Sequence, residues 1–352
     1  MIEKIIEQAL KKRLLVALLL VAVFAAGIDQ YRKLPTDAFP DISPVMVPIF
    51  AEAHGMAPEE IERLITFPIE SVMNGLPGVR LVKSTSAFGM AVIYVYFEDA
   101  MDIYFARQIV SERMNTAMAE LSEKEEPPVL GPISTGLGEV FMYYLTADST
   151  ANTEGKDKNT YLREINDWLV KFQLQTVPGV TEILSMGGHI LQYQIKVNPY
   201  LLNKYDLGLE DLEDAITSNN NNAGGQFLVL GSEEYLVRGI GLIEHLEDLR
   251  NIQLKVINGT PVRIKDVAVV EFGNEIRRGV VSRNGQEEVV AGIVMKLFGE
   301  NTSEVIERLK AKIKDVQAAL PQGVSFVQYY DQSHLVSNAV GTVQKALLQG
   351  AG

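Results

Sequence analysis

The longest run of apolar residues in the chain lies near the N-terminus, at residues 14–28. A bilayer core takes about 20 helical residues, and Leu10 on one side with Gln30 and Tyr31 on the other brings the run close to that length. Four basic residues precede the run and two follow it, which by the positive-inside rule puts the N-terminus in the cytoplasm. The pattern predicts a retained transmembrane helix, with the rest of the chain outside the cytoplasm.

Two other interpretations of this run stay open. A cleaved signal peptide has the same layout, with residues 25–27 as its cleavage site, and a buried core helix would also be apolar. The decade before the run is amphipathic, with apolar residues at Ile2, Ile5, Ile6, Ala9 and Leu10. Such an interfacial helix favours the membrane anchor.

Beyond residue 44 the pattern changes to short strands and amphipathic helices. It predicts strand, helix, strand, strand and helix at residues 45–52, 58–74, 79–84, 91–97 and 102–121. The same order recurs at residues 139–145, 161–176, 180–185, 191–198 and 209–219. Pro-Gly-Val follows the first helix of each set, at residues 77–79 and 178–180. A repeat of this length is a duplicated domain, so the sequence predicts an α+β fold with two ferredoxin-like (split βαβ) sandwiches.

A β-rich insertion follows the second set, at residues 219–278. Its predicted strands cover residues 226–230, 235–239, 252–256, 262–264 and 268–272. A strand at residues 289–297 returns to the second sandwich, and the chain closes with a helix, a strand and a further helix at residues 302–319, 324–330 and 331–352. The insertion therefore reads as a separate small domain.

Composition removes several classes of function. The chain of 352 residues has a formal charge of −13, which argues against nucleic acid as a partner, since phosphates need basic side chains. It has no cysteine, which excludes disulfides and thiolate metal sites. Its four histidines are scattered along the chain. We find no phosphate-binding loop, nucleophile elbow or paired metal motif. The sequence therefore predicts neither an enzyme nor a bound cofactor.

Two sets of residues are candidate metal ligands. Glu139 ends the linker 131–138 between the two sandwiches, where a carboxylate could bind a borderline cation such as Zn²⁺; the alternative is a strand-edge salt bridge. Met114 and Met118 lie one helical turn apart and could offer thioethers to a soft cation such as Cu(I). The alternative for the two methionines is core filling.

Several long segments resemble one transporter family. They are PTDAFPDIS at 35–43, FEDAMDIYFARQIVSERMN at 97–115, GPISTGLGE at 131–139, VPGVTEILSMGGHILQYQIKVNP at 177–199, NNAGG at 221–225 and RNGQEEVVAGIV at 283–294. In this order they resemble the N-terminal third of a resistance–nodulation–division transporter. GPISTGLGE is similar to the cobalt–zinc–cadmium type of the heavy-metal efflux branch.

The resemblance implies a domain layout. Residues 1–32 would form the cytoplasmic amphipathic segment and the first transmembrane helix, and residues 332–352 would lead into a second transmembrane helix that is missing. The first porter subdomain would comprise residues 33–130 and 320–331, and the second residues 131–205 and 279–319. A docking subdomain would cover residues 206–278, inserted in the second porter subdomain.

The resemblance also implies a function. The chain would be part of a proton-driven metal efflux subunit in the bacterial inner membrane, working as a homotrimer with a periplasmic adaptor and an outer-membrane channel. Its cargo would be a divalent cation (Zn, Co, Cd or Ni), and Glu139 is the one residue of the metal path that maps onto this segment. Two alternatives stay open: a drug-exporting member of the superfamily, and a stand-alone anchored periplasmic binding or adaptor protein.

Overall fold

The computed structural model describes residues 11–33, 43–53, 55–118, 126–135, 137–153, 155–230, 233–277 and 279–351. These residues form two compact units. The first comprises the described residues of Met1–Thr146, Asn166–Ser185 and Ala291–Gly352, and the second comprises those of Ala147–Ile165 and Met186–Val290. Helices and strands alternate along both, so the predicted α+β class is confirmed.

The elements are numbered along the chain. The strands are β1 Met46–Glu52, β2 Val79–Ala87, β3 Met90–Phe97, β4 Val129–Leu130, β5 Glu139–Ala147, β6 Val180–Met186, β7 Leu191–Val197, β8 Ala223–Leu230, β9 Glu233–Gly239, β10 Gln253–Ile257, β11 Thr260–Arg263, β12 Ala268–Asn274, β13 Ser282–Arg283, β14 Glu287–Glu288, β15 Val290–Lys296 and β16 Val324–Asp331. The helices are α1 Arg13–Lys33, α2 58–73, α3 Ile103–Met118, α4 158–175, α5 Pro199–Tyr205, α6 Leu209–Asn219, α7 Leu246–Asn251, α8 Ile264–Val267, α9 Thr302–Ala319 and α10 Ser333–Ala351.

The N-terminal run forms helix α1, whose side chains from Leu14 to Phe24 are exposed. Within the part of the chain that the structure describes, no helix meets the combined length and apolarity that a membrane span needs. The transmembrane prediction is therefore not confirmed. The predicted amphipathic segment at residues 2–10 lies outside the described residues.

The first unit contains two four-stranded sheets with one strand order. In chain order, the first sheet uses β1 to β4 and runs β2-β3-β1-β4. The second uses β5, β6, β15 and β16 and runs β16-β5-β15-β6. Numbering the four strands of each sheet from 1 to 4, both orders are 4-1-3-2, and each sheet has one helix between strands 1 and 2 and another between strands 3 and 4. This is the connectivity of a split βαβ unit.

Two details of the predicted topology are wrong. The sequence pattern grouped residues 180–185 with 191–198 and with a helix at 209–219, but β6 lies beside β15, while β7 pairs antiparallel with β12 in the second unit. The insertion therefore opens the central hairpin of the second sandwich, and α9 replaces α6 as its second helix.

The predicted position of the strand at 324–330 is also wrong. That strand was expected to complete the first sandwich, but β16 lies at the edge of the second sheet, next to β5. The first sheet already has its fourth strand in β4, which pairs with β1 through Ile49 and Phe50. A strand of two residues is too short to show an alternating pattern.

The second unit has a core of its own. Helices α5 to α8 and strands β7, β10, β11 and β12 bury one cluster of apolar side chains: Leu202, Leu212, Leu249, Ile252, Val262, Ile264, Val267, Ala268 and Val270. Strands β8 and β9 form a separate antiparallel hairpin. The second unit begins at Met186 and also includes Ala147–Ile165, so it extends beyond the predicted insertion at residues 219–278, and the subdomain boundaries stay predictions.

A π-helical turn interrupts the first helix of both sandwiches, at Glu62–Thr66 in α2 and at Asn166–Val170 in α4. Each turn carries a buried polar residue that bonds a serine of the following strand. The hydroxyls of Thr66 and Ser86 are 2.8 Å apart, and Asn166 donates to Ser185 Oγ at 2.8 Å. Because π-turns add a residue to the helical path, they allow a polar side chain to face the sheet.

Tyr143, a buried residue of β5, contacts Asn166 and so connects α4 to the second sheet. Its hydroxyl donates to Asn166 Oδ1 at 2.8 Å, and its ring stacks on Phe326 with centroids 4.4 Å apart. Burial raises the pKa of Tyr143, and the charge of Asp167 raises it further, so the hydroxyl stays protonated as a donor. The ring lies directly over Gly292, where a Cβ atom would overlap it.

We expect Gly292→Ala to destabilise the protein by about 1–3 kcal/mol, because an added methyl group must displace the Tyr143 ring in a packed core. The measurement is urea-induced unfolding of the purified chain. Gly75→Ala is the matched control, since Gly75 is exposed in a turn with open space around its Cβ position. Equal unfolding midpoints for the two variants would contradict the prediction.

Candidate functional site

Glu139 is the first residue of β5 and is exposed. The linker before it is held by backbone bonds on both sides. Gly131 donates to the Pro48 carbonyl at 2.8 Å, and Lys296 donates to the Gly138 carbonyl at 2.7 Å. These bonds fix Glu139 where the linker enters the second sheet, as the sequence predicted.

Gly138 explains how the linker can turn so closely against the sheet. A Cβ atom at this position would overlap the Ser134 hydroxyl and lie 3.0 Å from the Thr135 carbonyl oxygen and 3.2 Å from that of Lys296. Two of these three neighbours are backbone atoms, which cannot rotate away. The glycine at position 138 therefore allows the segment that ends in Glu139 to lie close against the sheet.

The sheet edge beside Glu139 carries Tyr329 of β16. Burial raises the pKa of Tyr329, and the negative charge of Glu139 raises it further. Its hydroxyl donates to Met142 Sδ at 3.3 Å. Glu139 therefore lies close enough to Tyr329 for the two groups to interact electrostatically.

The described residues do not assemble a complete metal site around Glu139. Across the ranges that the structure covers, no three His, Cys, Asp or Glu side chains come together as a group that could hold a metal ion. Of the methionine pair, Met114 is buried in the core of the first sandwich and Met118 is half-buried. The core-filling interpretation therefore fits Met114.

A cavity of about 250 Å³ lies beside the linker. Its lining residues are Ser43, Pro44, Val45, Met46, Tyr96, Ile103, Ile133, Ser134, Thr135 and Phe298. The lining is apolar apart from three aliphatic hydroxyls and one phenol, which does not suit a bare divalent cation. Sequence reasoning missed this cavity, although three of its residues belong to the quoted segment at 131–139.

Comparison with known proteins identifies the family. Residues 5–351 match the AcrB/AcrD/AcrF family. The fold also matches a crystal structure of a heavy metal efflux pump with a TM-score of 0.86 and 33% sequence identity, covering 98% of this chain and 34% of that chain. The chain therefore belongs to the AcrB/AcrD/AcrF family of resistance–nodulation–division transporters.

The similar curated proteins lie in the heavy-metal efflux branch. Protein HelA of Legionella pneumophila is 42% identical, and the match covers 100% of this chain and 33% of HelA. The cobalt-zinc-cadmium resistance protein CzcA of Cupriavidus metallidurans is 41% identical, with coverages of 100% and 33%. The cation efflux system protein CusA of Escherichia coli is 37% identical, with 99% and 33%. The chain thus spans about a third of the length of these relatives, as the predicted N-terminal third requires.

Proposed function

We propose that this chain is the N-terminal part of a proton-driven heavy-metal cation efflux subunit in a bacterial inner membrane. The observation that carries the proposal is the match to a heavy metal efflux pump over 98% of the chain at a TM-score of 0.86. The names of its relatives, which include cobalt-zinc-cadmium resistance and cation efflux, support a divalent metal as cargo. The subunit would act as a homotrimer with a periplasmic adaptor and an outer-membrane channel.

In this proposal the two sandwiches are the porter subdomains and the separately packed insertion is the docking subdomain. Residues 324–331 would then belong to the second porter subdomain, which the position of β16 beside β5 supports. Helix α1 would anchor the chain, supported by the exposure of its apolar side chains. Transport would then proceed by movement of rigid subdomains against each other.

The two alternatives differ in what they require. A drug exporter of the same superfamily would keep the fold, but the three relatives named above include two whose names specify metals or cations. A stand-alone periplasmic binding protein would need its function within a third of the length of those relatives. Both alternatives fit the observations less well than a metal efflux subunit.

Glu139 would contact the metal during its passage. It is an exposed carboxylate at the start of a strand, and Zn²⁺ accepts carboxylate oxygen as a ligand. Because no group of three His, Cys, Asp or Glu side chains forms within the described residues, Glu139 would not complete a metal site by itself, and further ligands would be water molecules or groups from elsewhere in the subunit.

In the full-length subunit, we expect Glu139→Gln to lower cellular resistance to a divalent metal, because the neutral amide loses the attraction of the carboxylate for the cation. The measurement is growth of a deletion strain complemented with each variant over a series of Zn²⁺, Co²⁺ and Cd²⁺ concentrations. Trimer assembly, followed by size-exclusion chromatography, should not change.

Glu98→Gln is the matched control for this experiment. Glu98 is also exposed and lies next to the end of a strand, β3, so its replacement removes the same charge without touching the linker. Wild-type resistance in Glu98→Gln with reduced resistance in Glu139→Gln supports the proposed role. Full resistance in Glu139→Gln removes this residue from the metal path.

The proposed topology has its own test. We expect alkaline phosphatase fused at Gly352 to be active, because that enzyme folds only outside the cytoplasm, whereas a fusion at Leu10 should be inactive. The measurement is phosphatase activity in intact cells, normalised to fusion abundance. Activity of the Leu10 fusion together with inactivity of the Gly352 fusion would overturn the assigned orientation.

A further inference from the structure

An ion pair between a half-exposed lysine and a buried carboxylate lies where the last strand passes into the last helix. Asp331 ends β16, and only 2% of its side chain is exposed. Its Oδ2 lies 2.5 Å from Lys310 Nζ of α9, and its Oδ1 accepts the Ser333 backbone N–H at 2.9 Å. The carboxylate therefore caps the first turn of α10 and binds α9 at the same time.

Neighbouring side chains also contact the Lys310–Asp331 pair at this joint between β16, α9 and α10. Lys310 Nζ is also 3.2 Å from Ser333 Oγ, and Gln328 Nε2 is 3.3 Å from Asp331 Oδ2. The more distant His334 Nε2 lies 3.9 Å from the same oxygen, on an exposed side chain. Val336 of the first turn is buried, so both polar and apolar contacts hold the beginning of α10.

The balance of forces on Asp331 shows that these contacts are favourable for the charged form. Burial alone would raise the pKa of Asp331, but the hydrogen bonds from Lys310 and Ser333 outweigh burial and hold the pKa below its ordinary value. Loss of the Lys310 charge would leave the buried Asp331 carboxylate without its countercharge, which is costly.

The joint is connected to the edge that carries Glu139. The Gln332 backbone N–H donates to the Val140 carbonyl at 3.0 Å, and Val140 directly follows Glu139. The carbonyl of Gln332 in turn accepts the N–H groups of Leu335 and Val336. A displacement of the Glu139 segment therefore has a direct hydrogen-bonded route to the first turn of α10.

We propose that the Lys310–Asp331 ion pair is a positioning clamp that fixes the direction in which α10 leaves the second sheet and so couples α10 to the strand edge at Glu139. This inference rests on the proposed function, in which α10 leads towards the membrane part of the subunit. Lys310 and Asp331 act through the helix and do not touch the cargo.

The test uses Lys310→Met in the full-length subunit. The first readout is amide hydrogen exchange at Leu335 and Val336, which we expect to become about tenfold faster as the first turn loosens. The second readout is Zn²⁺ transport in proteoliposomes, where we expect kcat to fall about tenfold with KM unchanged, because the cargo site keeps its ligands. Lys310→Arg should restore both readouts towards wild type.

Lys314→Met is the matched control, since Lys314 is exposed one turn further along α9, and it should leave both readouts unchanged. Unaltered exchange in Lys310→Met overturns the clamp, and faster exchange with normal kcat overturns the coupling. Should Lys310→Met not fold, Asp331→Asn removes the charge while keeping an acceptor for Ser333. If wild type moves none of Zn²⁺, Co²⁺, Cd²⁺ and Ni²⁺, the proposed function is wrong, while the exchange result still decides the clamp.

Discussion

The packing of Tyr143 is the constraint on which the second sandwich depends. Its ring fills the space over Gly292 of β15 and stacks on Phe326 of β16, while its hydroxyl reaches Asn166 of α4. Asn166 then bonds Ser185 of β6. One side chain of β5 thus connects, directly or through Asn166, all three other strands and the covering helix, and strands far apart in sequence meet in one network.

The duplicated sandwiches use this kind of contact to different degrees. In the first, the Thr66 hydroxyl meets Ser86 directly, whereas in the second Asn166 bridges Ser185 and Tyr143. In the second sandwich a long insertion separates the second strand, β6, from the third strand, β15. No short hairpin therefore holds these two strands together. A buried polar group left without its partner is costly, which favours the one strand arrangement that satisfies Tyr143 and Asn166 together.

The sequence predicted what is local and missed what is distant. Amphipathic spacing located α2 and α9, and the linker pattern placed Glu139 at the start of β5. The pairing of β6 with β15 was missed because β7, the next strand in sequence, has an equally suitable pattern of apolar and polar residues. Glu139 could be predicted from the linker, but Tyr329 beside it could not, since the position of β16 next to β5 follows from the fold of the whole second sandwich.

An exposed carboxylate that belongs to no group of three metal-ligating side chains of the described residues suits a pump better than a storage protein. In water, a carboxylate and a divalent cation 4 Å apart attract by only about 2 kcal/mol, and salt screens exposed charges further. On the proposed function, Glu139 would therefore hold a divalent cation weakly and release it easily, which transport requires. A closed set of four strong ligands would hold the metal for structure instead. The open surroundings of Glu139 thus agree with a contact along a path, where binding and release alternate as the subdomains move.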